Sequence, residues 1–281
     1  MSCTNNERES NNHNETNEEE EEETVMGLGS YKGKVRMVNG DPSDEMILLW
    51  GLQQPMFSKA NAFVAQSSLN LSLDACGRCL SISQSPSSLG APGVTGSVMW
   101  DSGIVLGKFL EHAVETGQLV LQGKKVVELG AGCGLVGCIA ALLGSQVILT
   151  DMPDRLRLLK KNVEDNLYGN VRGSATVNEL MWGDRPDREL VEPLPDFVIG
   201  SDVIYSEEAV TDLLETLIDL SGIETTIILA GELRNDAVLE YFMEAAMENF
   251  IIGRVDQEGW HPDYHSPRVA MYVMVKKVTP Q

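Results

Sequence analysis

The chain has 281 residues, enough for one sizeable core with appended segments rather than two equal domains. Its 43% hydrophobic and 22% charged residues fit a globular protein, and no apolar run approaches the roughly 18 residues that span a bilayer, so no membrane partner is expected. A formal charge of -21, from 42 acidic against 21 basic residues, opposes phosphate backbones, which excludes nucleic acid and favours a basic protein or a small molecule.

Residues 1–25 carry nine Glu, one Arg and almost no apolar side chains, so they are expected to form a disordered acidic tail. The Asn/Glu-rich start is unlike a secretory or mitochondrial leader, which points to the cytoplasm or the nucleus. Five cysteines, an odd number, read there as reduced thiols. Residues 26–96 hold scattered apolar runs, "EMILLWGL" and "NLSLDACGRCLSIS", between Ser/Gly/Pro-rich separators, and read as a β-rich extension. Cys76 and Cys79 supply only two of the four ligands of a structural zinc site, so Leu69 to Leu73 and Leu80 to Ser83 read as a hairpin and no metal is expected.

Residues 97–281 read as the main domain. A helix opens it, with Val98, Ile104, Val105, Phe109 and Leu110 on one broad face. Strands follow at Val126 to Leu129, Gln146 to Thr150, Ala175 to Leu180, Phe197 to Ser201, Thr226 to Ala230, Phe250 to Val255 and Arg268 to Val275. Between them lie helices Leu135 to Leu143, Pro153 to Leu167, Glu207 to Leu220 and Asn235 to Asn249, the second with proline just inside its start. Alternating strands and helices predict an α/β fold: a Rossmann-like, doubly wound, seven-stranded sheet, mostly parallel, whose last strand runs antiparallel because "DQEGWHPDYHSP" is too short and irregular for a crossover helix.

Such a sheet binds ligands beyond the C-terminal ends of its strands, and "VVELGAGCGLVG" turns there. Gly130, Gly132 and Gly134, with Ala131 between the first two, let ligand atoms approach backbone. Their G-x-G-x-G spacing differs from the G-x-G-x-x-G of dinucleotide folds, and the preceding Glu128 would repel pyrophosphate and favour a cationic amino-acid moiety. Asp151, closing the second strand, suits a bidentate contact to ribose hydroxyls. Together these features point to S-adenosylmethionine.

Four stretches, "TGSVMWDSG", "VVELGAGCGLVGCIAALLGSQVILTD", "NELMWGD" and "DFVIGSDVIYSEEAVTDLL", make the chain resemble a class I methyltransferase, in particular the methyltransferase-like 21 type of protein-lysine methyltransferase. The resemblance implies that Trp100 lines the cofactor pocket, that Gly130 to Gly132 wrap the methionine part, that Asp151 holds the ribose and that Trp182 flanks the adenine. Ser201 stands where the family usually has Ala, and Asp202 and Tyr205 match its D-x-x-Y signature at the methyl-transfer end.

Methyl transfer from a sulfonium is an in-line displacement, so the acceptor amine must be deprotonated and aligned. Asp202 is the candidate to orient a lysine ammonium and Tyr205 to shape its pocket, with the proton leaving through water. The sequence "DVIY" lacks the prolines of the N-P-P-Y found in enzymes acting on planar nitrogens, which favours an aliphatic amine. The expected partner is therefore a protein substrate with a basic surface or, by resemblance, a chaperone, ATPase or translation factor, met by a monomer. The rivals are a histidine or a small-molecule amine as acceptor, and a non-catalytic module that docks partners through its acidic tail. His112, His261 and His265 show no metal or triad spacing, whereas "GWHPDYHSP" and Arg234 are candidates for the substrate entrance.

Overall fold

The structure is a computed structural model that describes residues 24–53, 61–87 and 96–278. Most of the expected acidic tail lies outside the described residues, while Thr24 and Val25 already belong to a strand. The extension contains β1 (Thr24–Leu28), β2 (Tyr31–Met37), α1 (Pro42–Gln53), β3 (Asn70–Ala75) and β4 (Arg78–Ser83). After it come α2 (Asp101–Glu115), β5 (Lys125–Leu129), α3 (Leu135–Leu142), β6 (Gln146–Asp151), α4 (Leu156–Asn166), β7 (Ser174–Glu179) and α5 (Arg188–Val191). The chain closes with β8 (Phe197–Ser201), α6 (Glu207–Leu220), β9 (Thr226–Glu232), α7 (Asp236–Asn249), β10 (Phe250–Arg254) and β11 (Val269–Lys276).

The main sheet has the order β1-β2-β10-β11-β9-β8-β5-β6-β7. From β9 to β7 every neighbouring pair is parallel, and β11 inserts antiparallel between β9 and β10. These seven strands are the expected doubly wound sheet, but the sheet as a whole has nine. The β1–β2 hairpin pairs antiparallel with the exposed edge of β10 through Met37 and Arg36 and so extends the sheet. The central strands read as continuous aliphatic runs because helices cover both faces. Phe109, Val136 and Ile228 pack on one side, and Leu213, Leu217 and Phe242 on the other.

Two features depart from the sequence reading. Helix α1 was legible only as an apolar run, because Met46 and Leu49 are buried while Ile47, Trp50 and Leu52 are exposed, so no single stripe marks it. Its anchor is polar. Buried Glu45 takes both 2.9 Å hydrogen bonds from Nη1 of Arg254 and one of 3.0 Å from the Tyr272 hydroxyl. Helix α4 begins at Leu156, after a turn that contains Pro153, so the proline precedes the helix instead of opening it.

The Cys-containing hairpin forms as expected, β3 against β4, as a separate two-stranded sheet whose turn holds Cys76 at φ +53°. Its open edge is covered by side-chain amides of α4. Asn166 accepts from the Ser81 N–H at 2.7 Å and donates to the Ser81 carbonyl at 2.9 Å, and Asn162 does the same at Ser83, at 2.9 Å in both directions. Asn162 also donates to the Cys133 carbonyl at 2.9 Å, tying the hairpin to the glycine loop.

Asp101, 1% exposed at the start of α2, collects the segment that leads out of α1's connection: it accepts from the backbone N–H of Ala62, Phe63 and Val64 at 2.5, 3.0 and 3.2 Å. Asp101→Ala would leave those donors without their carboxylate. With hydrogen bonds to charged groups contributing about 1.5–3 kcal/mol each, and not additively, the expected loss is about 3 kcal/mol in urea unfolding. A loss under about 1 kcal/mol would refute that anchoring role.

Candidate active site

The C-terminal ends of β5, β6, β8 and β9 meet at one edge of the sheet, where the chain passes outward from β5 to β6 on one side and to β8 on the other. A cavity of about 220 Å³ opens there. Trp100, Gly130, Ala131, Gly132, Asp151, Trp182, Ser201, Asp202 and Tyr205 all line it, as do Arg155, Asp212 and Arg234. Residues as far apart in sequence as Trp100 and Arg234 are thus collected because parallel strands deliver their ends side by side.

The loop after β5 reverses sharply, with Gly130, Gly132 and Gly134 at φ +57°, +54° and +82°. A Cβ on Gly132 would stand 3.1 Å from the Gly96 carbonyl oxygen, so the segment before α2 closes down on the loop only because no side chain is there. Asp151 organises the same loop from below. Its Oδ2 accepts from Gly132 N–H at 2.7 Å and its Oδ1 from Met152 N–H at 2.8 Å. Burial raises its pKa above the ordinary carboxylate value, and those two backbone donors oppose the rise. The cradle therefore offers a carboxylate edge, loop backbone lining the cavity and the aromatic Trp182, a donor and acceptor set that fits a ribose and a purine.

Glu128 and Gly134 do not line the cavity. Gly134 is the residue before α3, and a Cβ on it would stand 2.5 Å from Leu159 Cδ1, so its bareness lets α4 pack close. Glu128 points under α3 towards Gly137, is 1% exposed, and has one carboxylate oxygen, Oε2, without a hydrogen-bond partner. Burial pushes its pKa from 4.5 to about 8, the Gly137 backbone opposing. The expected role of Glu128 in attracting a cationic ligand moiety thus lacks the position it requires.

The folded protein holds a proton on Glu128 that the unfolded chain loses above about pH 4.5, so stability falls as pH rises from there to about 8. The slope from this group reaches about 1.4 kcal/mol per pH unit. Glu128→Gln should flatten that part of the curve in urea titrations at successive pH values; parallel curves for the two proteins would exclude the protonated state.

At the transfer end, Asp202 follows β8 with φ +55°. Its Oδ1 accepts from Glu232 N–H at 3.0 Å and pairs with Arg234 Nη2 at 2.6 Å, while the Ser102 hydroxyl donates to Oδ2. Burial raises its pKa, and Arg234, Ser102 and the Glu232 N–H pull the other way. The Arg234 guanidinium lies 4.0 Å from the centre of the Trp100 ring, and the Trp182 and Tyr205 rings are 6.0 Å apart. Glu232 carries the outer layer: Oε1 accepts from Asp101 N–H at 2.9 Å, and Oε2 pairs with Arg234 and Arg268 at 3.3 Å each.

Ser102, Glu232 and Arg268 escaped the sequence reading because their partners stand far off in the chain. A signal existed only for Ser102, which falls inside "MWDSG". The segment "GWHPDYHSP" lines no part of the cavity; Trp260 is buried, and His261 packs against His112 and Tyr264.

Residues 82–248 match the lysine methyltransferase family. The chain belongs to that family. It is 45% identical over 139 residues to protein N-lysine methyltransferase METTL21A of Mus musculus, a match covering 49% of this chain and 61% of that protein. Against METTL21A of Danio rerio it is 38% identical, covering 57% of this chain and 70% of the relative. EEF1A lysine methyltransferase 3 of Xenopus tropicalis is 32% identical, with 62% and 74% covered. This lysine methyltransferase family member thus spans about three-fifths of the length of its mouse relative, and residues 82–248, which match the family, contain every cavity residue named above.

Proposed function

We propose that the protein is an S-adenosylmethionine-dependent methyltransferase that modifies the ε-amino group of lysine in a protein substrate. The observation that carries this reading is the cation already seated at the transfer end: Arg234 lies between the Asp202 carboxylate, at 2.6 Å, and the face of Trp100, at 4.0 Å. A carboxylate and an aromatic face together select a cationic side chain, and a lysine ammonium is a cation of that kind. Family membership and the surplus of acidic residues support the same reading.

When bound, S-adenosylmethionine supplies an electrophilic methyl group on a sulfonium. Asp151 and the backbone of Gly130 to Gly132, which line the cavity, would hold its nucleoside and amino-acid parts, and Trp182 would flank the base. Asp202 draws the lysine head group to the inner end of the cavity, sharing its oxygen with Arg234, whose half-exposed side chain has solvent to swing into. Tyr205 narrows the opening, limiting the water that surrounds the amine and favouring its neutral form. Alignment of this sort lowers barriers by roughly 7–11 kcal/mol, so no dedicated base is required.

Incubating the protein with methyl-labelled S-adenosylmethionine and a cell lysate, then mapping the label, tests the reading. Label on protein lysines is the expected result. Label confined to histidines or to small molecules overturns the lysine assignment.

A further inference from the structure

A second, smaller cavity of about 40 Å³ lies against the first, and Tyr205 and Arg234 are walls of both. One of its lining residues is a glycine within a strand. In β9 the side chains of Ile227 and Leu229 fill the face covered by α6 and α7, and the next position on that face is Gly231. Its cross-strand partner is Ala270, so two small residues meet where the strands leave the core. A Cβ on Gly231 would find no heavy atom within 4 Å, and the backbone there lies outside the left-handed region. Neither a turn nor close packing demands a glycine, and a bare position within a strand forgoes packing.

Leu229, Ala270, Ile204 and Leu239 line the slot with Gly231, and Glu232 and Asp236 are the acidic members of its lining. At about 10–15 Å³ for each water-sized occupant, 40 Å³ admits three or four non-hydrogen atoms, the size of a Val, Leu or Ile side chain. Tyr205, 46% exposed, is one of its lining residues, and Trp50 of α1, 57% exposed, donates a 2.8 Å hydrogen bond to another of them, Asp236.

We infer that this slot binds the aliphatic side chain of a residue flanking the acceptor lysine in the substrate protein, and so sets sequence selectivity. The inference rests on the lysine-directed reading above. Continuity supplies the argument for the occupant. Tyr205 and Arg234 line both cavities, so a substrate whose lysine enters at Asp202 has its neighbouring residues beside the slot. A mainly apolar pocket discriminates such groups by about ten- to a hundred-fold in kcat/KM.

The test compares the full chain with Gly231→Ala and Gly231→Leu on a peptide library with one fixed lysine and randomised flanks, reading methyl transfer. Thermal unfolding and calorimetry with S-adenosylmethionine serve as controls. Wild type should favour Val, Leu or Ile at one flanking position by at least about ten-fold. Gly231→Leu should lose that preference in favour of Gly, Ala and Ser, with cofactor affinity and melting temperature held, and Gly231→Ala should fall between. Lysine peptides methylated without a flanking preference, or the same preference surviving in Gly231→Leu, would overturn the slot assignment and leave lysine methylation standing. If cofactor binds and no library peptide is methylated, mapping heavy-methyl label in a whole proteome decides: labelled lysines with no aliphatic neighbour overturn the slot alone, labelled lysines beside aliphatic residues support it, and no labelled lysine overturns both.

Discussion

Replacing Asp202 by Asn is expected to lower kcat/KM for a protein acceptor by about 100-fold or more, with S-adenosylmethionine affinity unchanged. Asp202 joins Ser102, the Glu232 backbone and Arg234 at the transfer end, so its charge is what draws a second cation into a buried place. Asn is the informative substitution because it tolerates φ +55°, where Ala would add backbone strain of about 1–2 kcal/mol and confuse loss of charge with loss of shape. The amide keeps an acceptor for the Glu232 N–H but forfeits the ion pair with Arg234. Initial rates on a labelled acceptor and calorimetry on the same preparation separate the two effects. Full activity in Asp202→Asn would remove Asp202 from the mechanism and leave Tyr205 and Trp100 as the acceptor-binding groups.

The second large effect is at the other end of the cavity. Asp151→Ala removes the acceptor of two backbone hydrogen bonds, from Gly132 at 2.7 Å and Met152 at 2.8 Å, together with the carboxylate proposed to meet the ribose. Charge-assisted bonds of this kind contribute about 1.5–3 kcal/mol each, so cofactor Kd should rise by about 100-fold or more. Asp151→Asn should weaken binding too, since an amide cannot serve both backbone N–H groups as acceptor without turning its own N–H towards one of them. Melting temperature checks that the loop has not taken the whole domain with it. A Kd within about three-fold of wild type would mean that the backbone of the glycine loop, and not Asp151, carries recognition.

Much of this was legible in the chain itself, for identifiable reasons. The strands from Val126 onward announce themselves because a sheet covered on both faces must be aliphatic along its whole length, and Phe197–Ser201 and Glu207–Leu220 were bounded as observed. Local chemistry likewise marked Gly130, Gly132 and Asp151, the family resemblance marked Trp182, Asp202 and Tyr205, and the structure gathers all six round one cavity. These signals are local: a glycine before a helix, an acid closing a strand, a short motif after another strand.

What the chain could not disclose depends on contacts between distant segments. Whether Glu128 faces a ligand or lies beneath a helix is decided by which way β5 turns its side chains once α3 packs down on it. Gly134 looks like its neighbours in the loop, yet its bareness serves Leu159 of α4. The joining of β1 and β2 to the sheet depends on an edge that β10 leaves free, and the cation at Asp202 comes from Arg234, beyond a different strand. Periodicity and motif report what a segment can form with itself; pairing partners, burial and the electrostatic company of a side chain are properties of the packed whole, and only the tertiary structure decides them.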